Sequence, residues 1–213
     1  MKQTLLAAGS ALLFCALVSA QEPKITSYVD PFIGTDGMGH TFPGACVPFG
    51  GVQLSPDTDT IPHNINGKYQ PMVYETCAGY RYSDPTIVGF SHTHFSGTGH
   101  SDLGDILIMP TTGPLKLNPG TADNPDSGFR SRFSHDSEKA ETGYYEVTLK
   151  DYGIKARLTA TQRVGVHHYT FPAVTPGSDR EPQSQVILDL IHAIYDYDGK
   201  TLWAEVQGQN DPL

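Results

Sequence analysis

The sequence predicts an all-β chain built as an antiparallel β-sandwich, and three observations carry that expectation. Its 22 glycines and 16 prolines are spread without a repeat and cut the chain into pieces too short for ordinary helices. Several pieces alternate apolar and polar side chains with the period of two that a half-buried strand requires. Between them lies no amphipathic segment of roughly 10–15 residues, which a parallel α/β sheet would need.

Taken in order, the first twenty residues read as a secretory leader rather than as part of the fold. Lys2 gives a positive start, Leu5 to Val18 is an almost unbroken apolar run, and Val18-Ser19-Ala20 offers the small residues a signal peptidase accepts. The run falls short of the about 20 apolar residues that cross a bilayer. Cleavage after Ala20 therefore implies a periplasmic or secreted location with no membrane span left, and residues 21–213 suffice for one sizeable core. Cys46 and Cys77 remain. An oxidising compartment would permit a bond between them, but spacing alone cannot bring the sulfurs together, and two buried thiols are the expected state.

From Asp30 to Asp105 the chain is dense in Gly, His and aromatic residues, among them Phe32, Phe42, Tyr74, Tyr80, Tyr82 and Phe95. Disorder needs few aromatics, so ordered functional loops are expected here, interrupted by strands at 47–54, 86–90 and 105–109. Next comes a hairpin. Tyr145, Val147 and Leu149 alternate against Glu146, Thr148 and Lys150, and Ile154, Ala156, Leu158 and Ala160 against Lys155, Arg157, Thr159 and Thr161. Asp151-Tyr152-Gly153 joins them as a turn that wants positive φ at the glycine. Strands at 165–171, 186–190 and 201–206 complete the expectation.

The formal net charge is −9, and no basic run is visible. Phosphate binding needs clustered Lys and Arg, so a nucleic-acid partner is excluded; a neutral, hydroxyl-rich ligand fits the balance. The densest motif is Gly89-Phe-Ser-His-Thr-His-Phe-Ser-Gly-Thr-Gly-His100. On a strand over 86–92, His92 and His94 would project to one side and could hold zinc with His100 or Asp102. Two other readings stand beside that one: both histidines hydrogen-bonded within packed loops, or a ligand contact. For the last, the Ser96-Gly97-Thr98-Gly99 turn offers backbone N–H groups and hydroxyls.

A second stretch, Val29 to Gly50, reads as a ligand-facing loop closed by Asp36 and His40 or as plain Gly/Pro coil. Gly34, Gly37 and Gly39 lack the Gly-Lys-Ser/Thr ending of a phosphate loop. The close carboxylate pairs Asp57/Asp59 and Asp102/Asp105 suit turns or hydrogen-bond anchors better than glycosidase work, whose two carboxyls must face opposite sides of a bond. Asp196 to Gly199 reads as a hairpin turn and not a calcium loop. Ser96 lacks a nucleophile elbow, and neither thiol has an activating context.

Asp30-Pro-Phe-Ile-Gly-Thr35, Gly39-His-Thr-Phe-Pro-Gly44, Val47-Pro-Phe-Gly50, Gln53-Leu-Ser-Pro-Asp-Thr58, Gly79-Tyr-Arg-Tyr82, Gly89-Phe-Ser-His-Thr-His94, Ser96-Gly-Thr-Gly99 and Gly104-Asp-Ile106 with Met109-Pro110 resemble, in that order, the amino-terminal domain of glycoside hydrolase family 92. The resemblance implies an exported exo-acting α-mannosidase in which an N-terminal β-sandwich packs on a C-terminal (α/α)6 barrel. It implies calcium-dependent hydrolysis of a mannose-containing glycan with inversion, the acid, the base and the calcium ligands coming mainly from the barrel. Carried over by motif, the substrate contacts expected here are His92, His94, Ser96, Gly97, Thr98 and Gly99, with Asp36, His40, Tyr80 and Arg81; no catalytic residue transfers. On this reading the chain is the front piece of such an enzyme, incomplete at its C-terminus and inactive alone. A sugar-binding sandwich without catalysis and a metal-binding protein using His92, His94 and His100 are the competing expectations.

Overall fold

The computed structural model describes residues 24–58, 64–97, 103–173 and 184–194. The leader, the 201–206 strand, the Asp196–Gly199 turn, Asp59, Thr98, Gly99, His100 and Asp102 lie outside them. Thirteen strands and four 3-10 turns make up the regular structure of the described residues, with no α-helix among them.

The predicted hairpin is the centre of one sheet. β10 (Tyr144–Leu149) pairs antiparallel with β11 (Ile154–Ala160), with Leu149 opposite Ile154, and Gly153 has φ 63° in the turn. β9 (Lys139–Glu141) and β12 (Gly165–Thr170) flank it, giving the order β12-β11-β10-β9. Alternation fixes which face turns inward: Tyr145, Val147, Leu149, Ile154, Ala156 and Leu158 are buried, while the residues between them meet solvent at least in part.

The second sheet has the order β1-β2-β6-β7-β13, built from Ala45–Cys46, Gln53–Asp57, Gly89–Ser91, Leu107–Thr112 and Ser184–Asp189, all antiparallel. Its inward residues Ala45, Leu54, Phe90, Leu107 and Met109 meet those of the first sheet in one core, joined by Ile87, Val88, Phe129 and Phe133. Each fully buried Leu, Ile or Phe adds roughly 1.5–3 kcal/mol to this sandwich. Two ribbons lie apart, β3 (Asn64–Ile65) on β4 (Lys68–Tyr69) and β5 (Thr86–Ile87) on β8 (Ser131–Arg132).

Several expected boundaries move. Residues 47–54 are mostly a turn between β1 and β2: Pro48 has no N–H to give a ladder, Phe49 sits at φ 59°, and the Gly50 N–H closes on the Val47 carbonyl at 3.0 Å. The strand expected at 86–90 is divided at Val88, so β5 and β6 serve different sheets. The 105–109 strand starts only at Leu107 because Ile106 has φ 57°, which no strand accommodates. Neither Cys46 nor Cys77 is in a disulfide, and burial raises the pKa of both thiols.

Candidate functional site

Asp57 ends β2 with its side chain wholly buried, and both carboxylate oxygens are occupied by histidine. His94 Nε2 lies 2.7 Å from Oδ1, and His192 Nε2 lies 2.8 Å from Oδ2. His94 is anchored again by its Nδ1 on the Gln53 carbonyl, 2.7 Å away, and by its N–H on the Gln53 side chain. His192 arrives on a tight turn in which the N–H groups of Ile191 and His192 both donate to Asp189 Oδ1 at 3.0 Å. Burial alone would raise the pKa of Asp57, but the two histidines outweigh it and hold the carboxyl well below the ordinary range. The site also depends on Gly79, at φ 83°: a Cβ there would stand 2.3 Å from Asp57 Oδ1.

Beside this lies a second polar layer. Thr58 donates to Asp84 Oδ2 at 2.7 Å and accepts the Arg81 N–H at 3.0 Å. The Arg81 guanidinium closes on Asp84 Oδ1 and reaches Glu75 at 3.2 Å. Tyr80 is buried in the core, its hydroxyl donating to Glu138 at 2.9 Å; the Tyr145 hydroxyl and His135 Nδ1 bind the same carboxylate. Burial first, then the Glu138 charge, raises the pKa of both phenols.

His92 and His94 do not share a side. β6 ends at Ser91, so the alternation expected through residue 92 is broken. His94 turns into the Asp57 network. The half-buried His92 ring sends Nδ1 to the Ile106 carbonyl at 2.7 Å and sets Nε2 3.2 Å from Nε2 of His167 on β12. The Tyr169 hydroxyl sits 2.6 Å from His167 Nδ1. Burial, then His92, lowers the His167 pKa to about 4.

Beyond its buried root, the 92–97 loop opens outward: Phe95, Ser96 and Gly97 are exposed. Gly97 N–H donates to the His40 carbonyl at 2.7 Å, which ties this tip to the Asp36–His40 loop. His40 itself is buried at φ 51°, edge-on to Tyr74, and its Nε2 has no hydrogen-bond partner among the described residues. Asp36 is exposed and accepts from the Gly37 N–H and Ser83 hydroxyl, while the Tyr82 N–H binds the Thr35 carbonyl. Asp36, His40, Ser96, Gly97, Tyr82 and Ser83 are thus brought to one end of the sandwich. Tyr80 and His94 lie in its interior, and Arg81 is turned on Asp84.

Sequence reasoning passed over His192, Glu138, His135 and His167. One signal was readable for His167: it holds an inward position on an alternating strand, where an ionisable group requires a partner. Glu138 and His192 sit in irregular segments whose facing direction no periodicity reveals.

The profile of the glycosyl hydrolase family 92 N-terminal domain matches residues 28–211. A family GH92 α-mannosidase of Bacteroides thetaiotaomicron, solved in complex with mannoimidazole, superimposes with a TM-score of 0.70 at 46% identity, over 81% of this chain and 20% of that one. The inverting family GH92 mannosidase of the same organism gives 0.56 at 28% identity, over 78% of this chain and 20% of the other. A curated relative named an uncharacterized secreted glycosidase, from Arthroderma benhamiae, is 30% identical over 170 residues, 76% of this chain and 19% of its own length. The chain thus spans about one fifth of these relatives.

Proposed function

The chain belongs to glycosyl hydrolase family 92, matched through its N-terminal domain, and from that membership we propose that it is the front part of an exported α-mannosidase acting on terminal α-mannosidic bonds of glycans with inversion. Its relatives are glycosidases, α-mannosidases among them. The observation that carries the division of labour is the state of the buried carboxylates. Asp57, Asp84 and Glu138 are each engaged by side chains of this chain, so none is left to protonate a leaving oxygen or to activate water. Inverting hydrolysis needs two carboxyl groups roughly 6.5–9.5 Å apart across the scissile bond. On this reading both come from a C-terminal (α/α)6-barrel domain.

The contribution of the present chain is one wall of the sugar pocket. The exposed tip at Phe95, Ser96 and Gly97 offers N–H and hydroxyl groups to sugar hydroxyls, with Asp36 alongside; Thr98 and Gly99, expected to share this role, lie outside the described residues. His94 and His40 hold that tip from behind. Among the described residues no three His, Cys, Asp or Glu side chains come together to hold a metal ion. The calcium expected of the family finds no such ligand set among the described residues of this chain and would belong to the barrel.

The test compares two proteins on an aryl α-mannoside: the 213-residue chain and the gene product extended by the sequence that follows it. Release of mannose by the extended protein alone, lost on adding a calcium chelator, is the expected result. Release by the short chain would overturn the division of labour, and none from the extended protein would overturn the activity. Glycan retention without cleavage by the short chain would instead favour a binding module.

A further inference from the structure

We propose that the facing Nε2 atoms of His92 and His167 form a two-histidine chelate for a divalent transition metal of the zinc class. The two imidazoles come from different sheets, His92 from the segment after β6 and His167 from β12, the edge strand of its sheet. Their separation suits a shared ion. Zinc–nitrogen bonds of about 2.0–2.1 Å drawn to two atoms 3.2 Å apart subtend about 100–106°, close to the tetrahedral angle.

The surroundings of His92 are those of a ligating imidazole, whose second nitrogen is held by a backbone carbonyl, a carboxylate or water. The Ile106 carbonyl can only accept, so at 2.7 Å it fixes His92 with the proton on Nδ1 and the lone pair on Nε2. Ile106 holds φ 57°, a conformation a β-branched residue seldom adopts unless its surroundings impose it. Gly165 makes the room: a Cβ there would stand 2.8 Å from His92 Cδ2 and 3.0 Å from its Nε2. The Tyr169 hydroxyl, 2.6 Å from His167 Nδ1, can donate or accept.

Without metal, Tyr169 donates to His167 Nδ1 and the His167 Nε2 proton bridges to His92. With metal, that proton moves to Nδ1, the Tyr169 hydroxyl turns to accept it, and both Nε2 lone pairs bind the ion. The protein's proton count is unchanged. No third His, Cys, Asp or Glu joins the pair among the described residues, so water would complete the coordination and the ion would be exchangeable.

The experiment titrates tag-free, chelator-stripped chain with zinc chloride by calorimetry, alongside nitrogen-15 imidazole spectra. Expected is one saturable zinc per chain, lost in His167→Gln and in His92→Gln, and retained in His168→Gln, whose ring lies on the opposite, exposed face of β12. Tyr169→Phe should weaken binding by about tenfold or more, and zinc should shift His167 to the Nδ1-protonated tautomer. Absence of saturable uptake by the parent, or uptake undiminished in a folded His167→Gln, overturns the site. Should His167→Gln lose its fold by circular dichroism, His92→Gln and the tautomer shift in the parent decide the matter.

Discussion

Replacing Asp57 by Asn keeps the shape of the buried network and removes its charge. The carboxylate accepts from two histidine rings at 2.7 and 2.8 Å, and hydrogen bonds to a charged group contribute about 1.5–3 kcal/mol each. An amide has one oxygen to accept with; its NH2 would face the other ring's N–H. One bond is lost and the other weakened, and breaking a buried network by removing its charged partner costs about 3–5 kcal/mol. For a chain of this length that corresponds to a fall of roughly 6–20 °C in Tm. Urea unfolding followed by circular dichroism measures the loss directly, and a double-mutant cycle with His192→Gln should give a coupling of about 1 kcal/mol or more.

The pH dependence adds an independent readout. Asp57 has a folded pKa below its ordinary 3.8, so its contribution is present above that value and fades as acid titrates the folded carboxyl. The gap between parent and variant should therefore be constant near neutrality and narrow below about pH 4. A variant within about 1 kcal/mol of the parent at pH 7, with a gap indifferent to acid, would refute the assignment of Asp57 as the anchor of this end of the fold.

Gly79→Ala should cost more than about 2 kcal/mol, since the methyl would press on Asp57 Oδ1 from a backbone at φ 83°; thermal melting checks it, and a neutral outcome would mean the network can shift. Tyr145→Phe removes one donor to Glu138 while keeping the ring, for a loss of about 1.5–3 kcal/mol measured by urea unfolding. Leu158→Ala opens a cavity at a fully buried position between the sheets and should cost about 2–5 kcal/mol; a smaller loss would mean that the core collapses around the gap.

What the sequence revealed follows from where periodicity operates. The β10–β11 hairpin was legible to the residue at its turn because Tyr145–Leu149 and Ile154–Ala160 each alternate cleanly and Gly153 marks the reversal between them. β1 and β2 were not, since Val47 to Val52 is apolar enough to pass for strand while Pro48 and the positive φ of Phe49 bend it. The loops that gather at one end were legible as a set, through Asp36, His40, Ser96 and Gly97, because Gly and hydroxyl density marks them. Which of their histidines face inward was not: His94 is turned by Asp57, 37 residues away, and His92 by His167, 75 residues away. Contacts across such separations belong to tertiary packing, which no local pattern encodes.

The bond from His192 to Asp57 spans 135 residues, and it has a consequence for the order of assembly. During synthesis, as a chain folds from its N-terminal end, Asp57 has to wait with one oxygen unclaimed until the far segment is delivered. Until β13 docks on β7 and brings His192 with it, the interior holds a charged group with half its partners, which disfavours early closure. The carboxylate thereby couples the loops it secures to the docking of β13 on β7, and those loops are fully held only once that strand is in place.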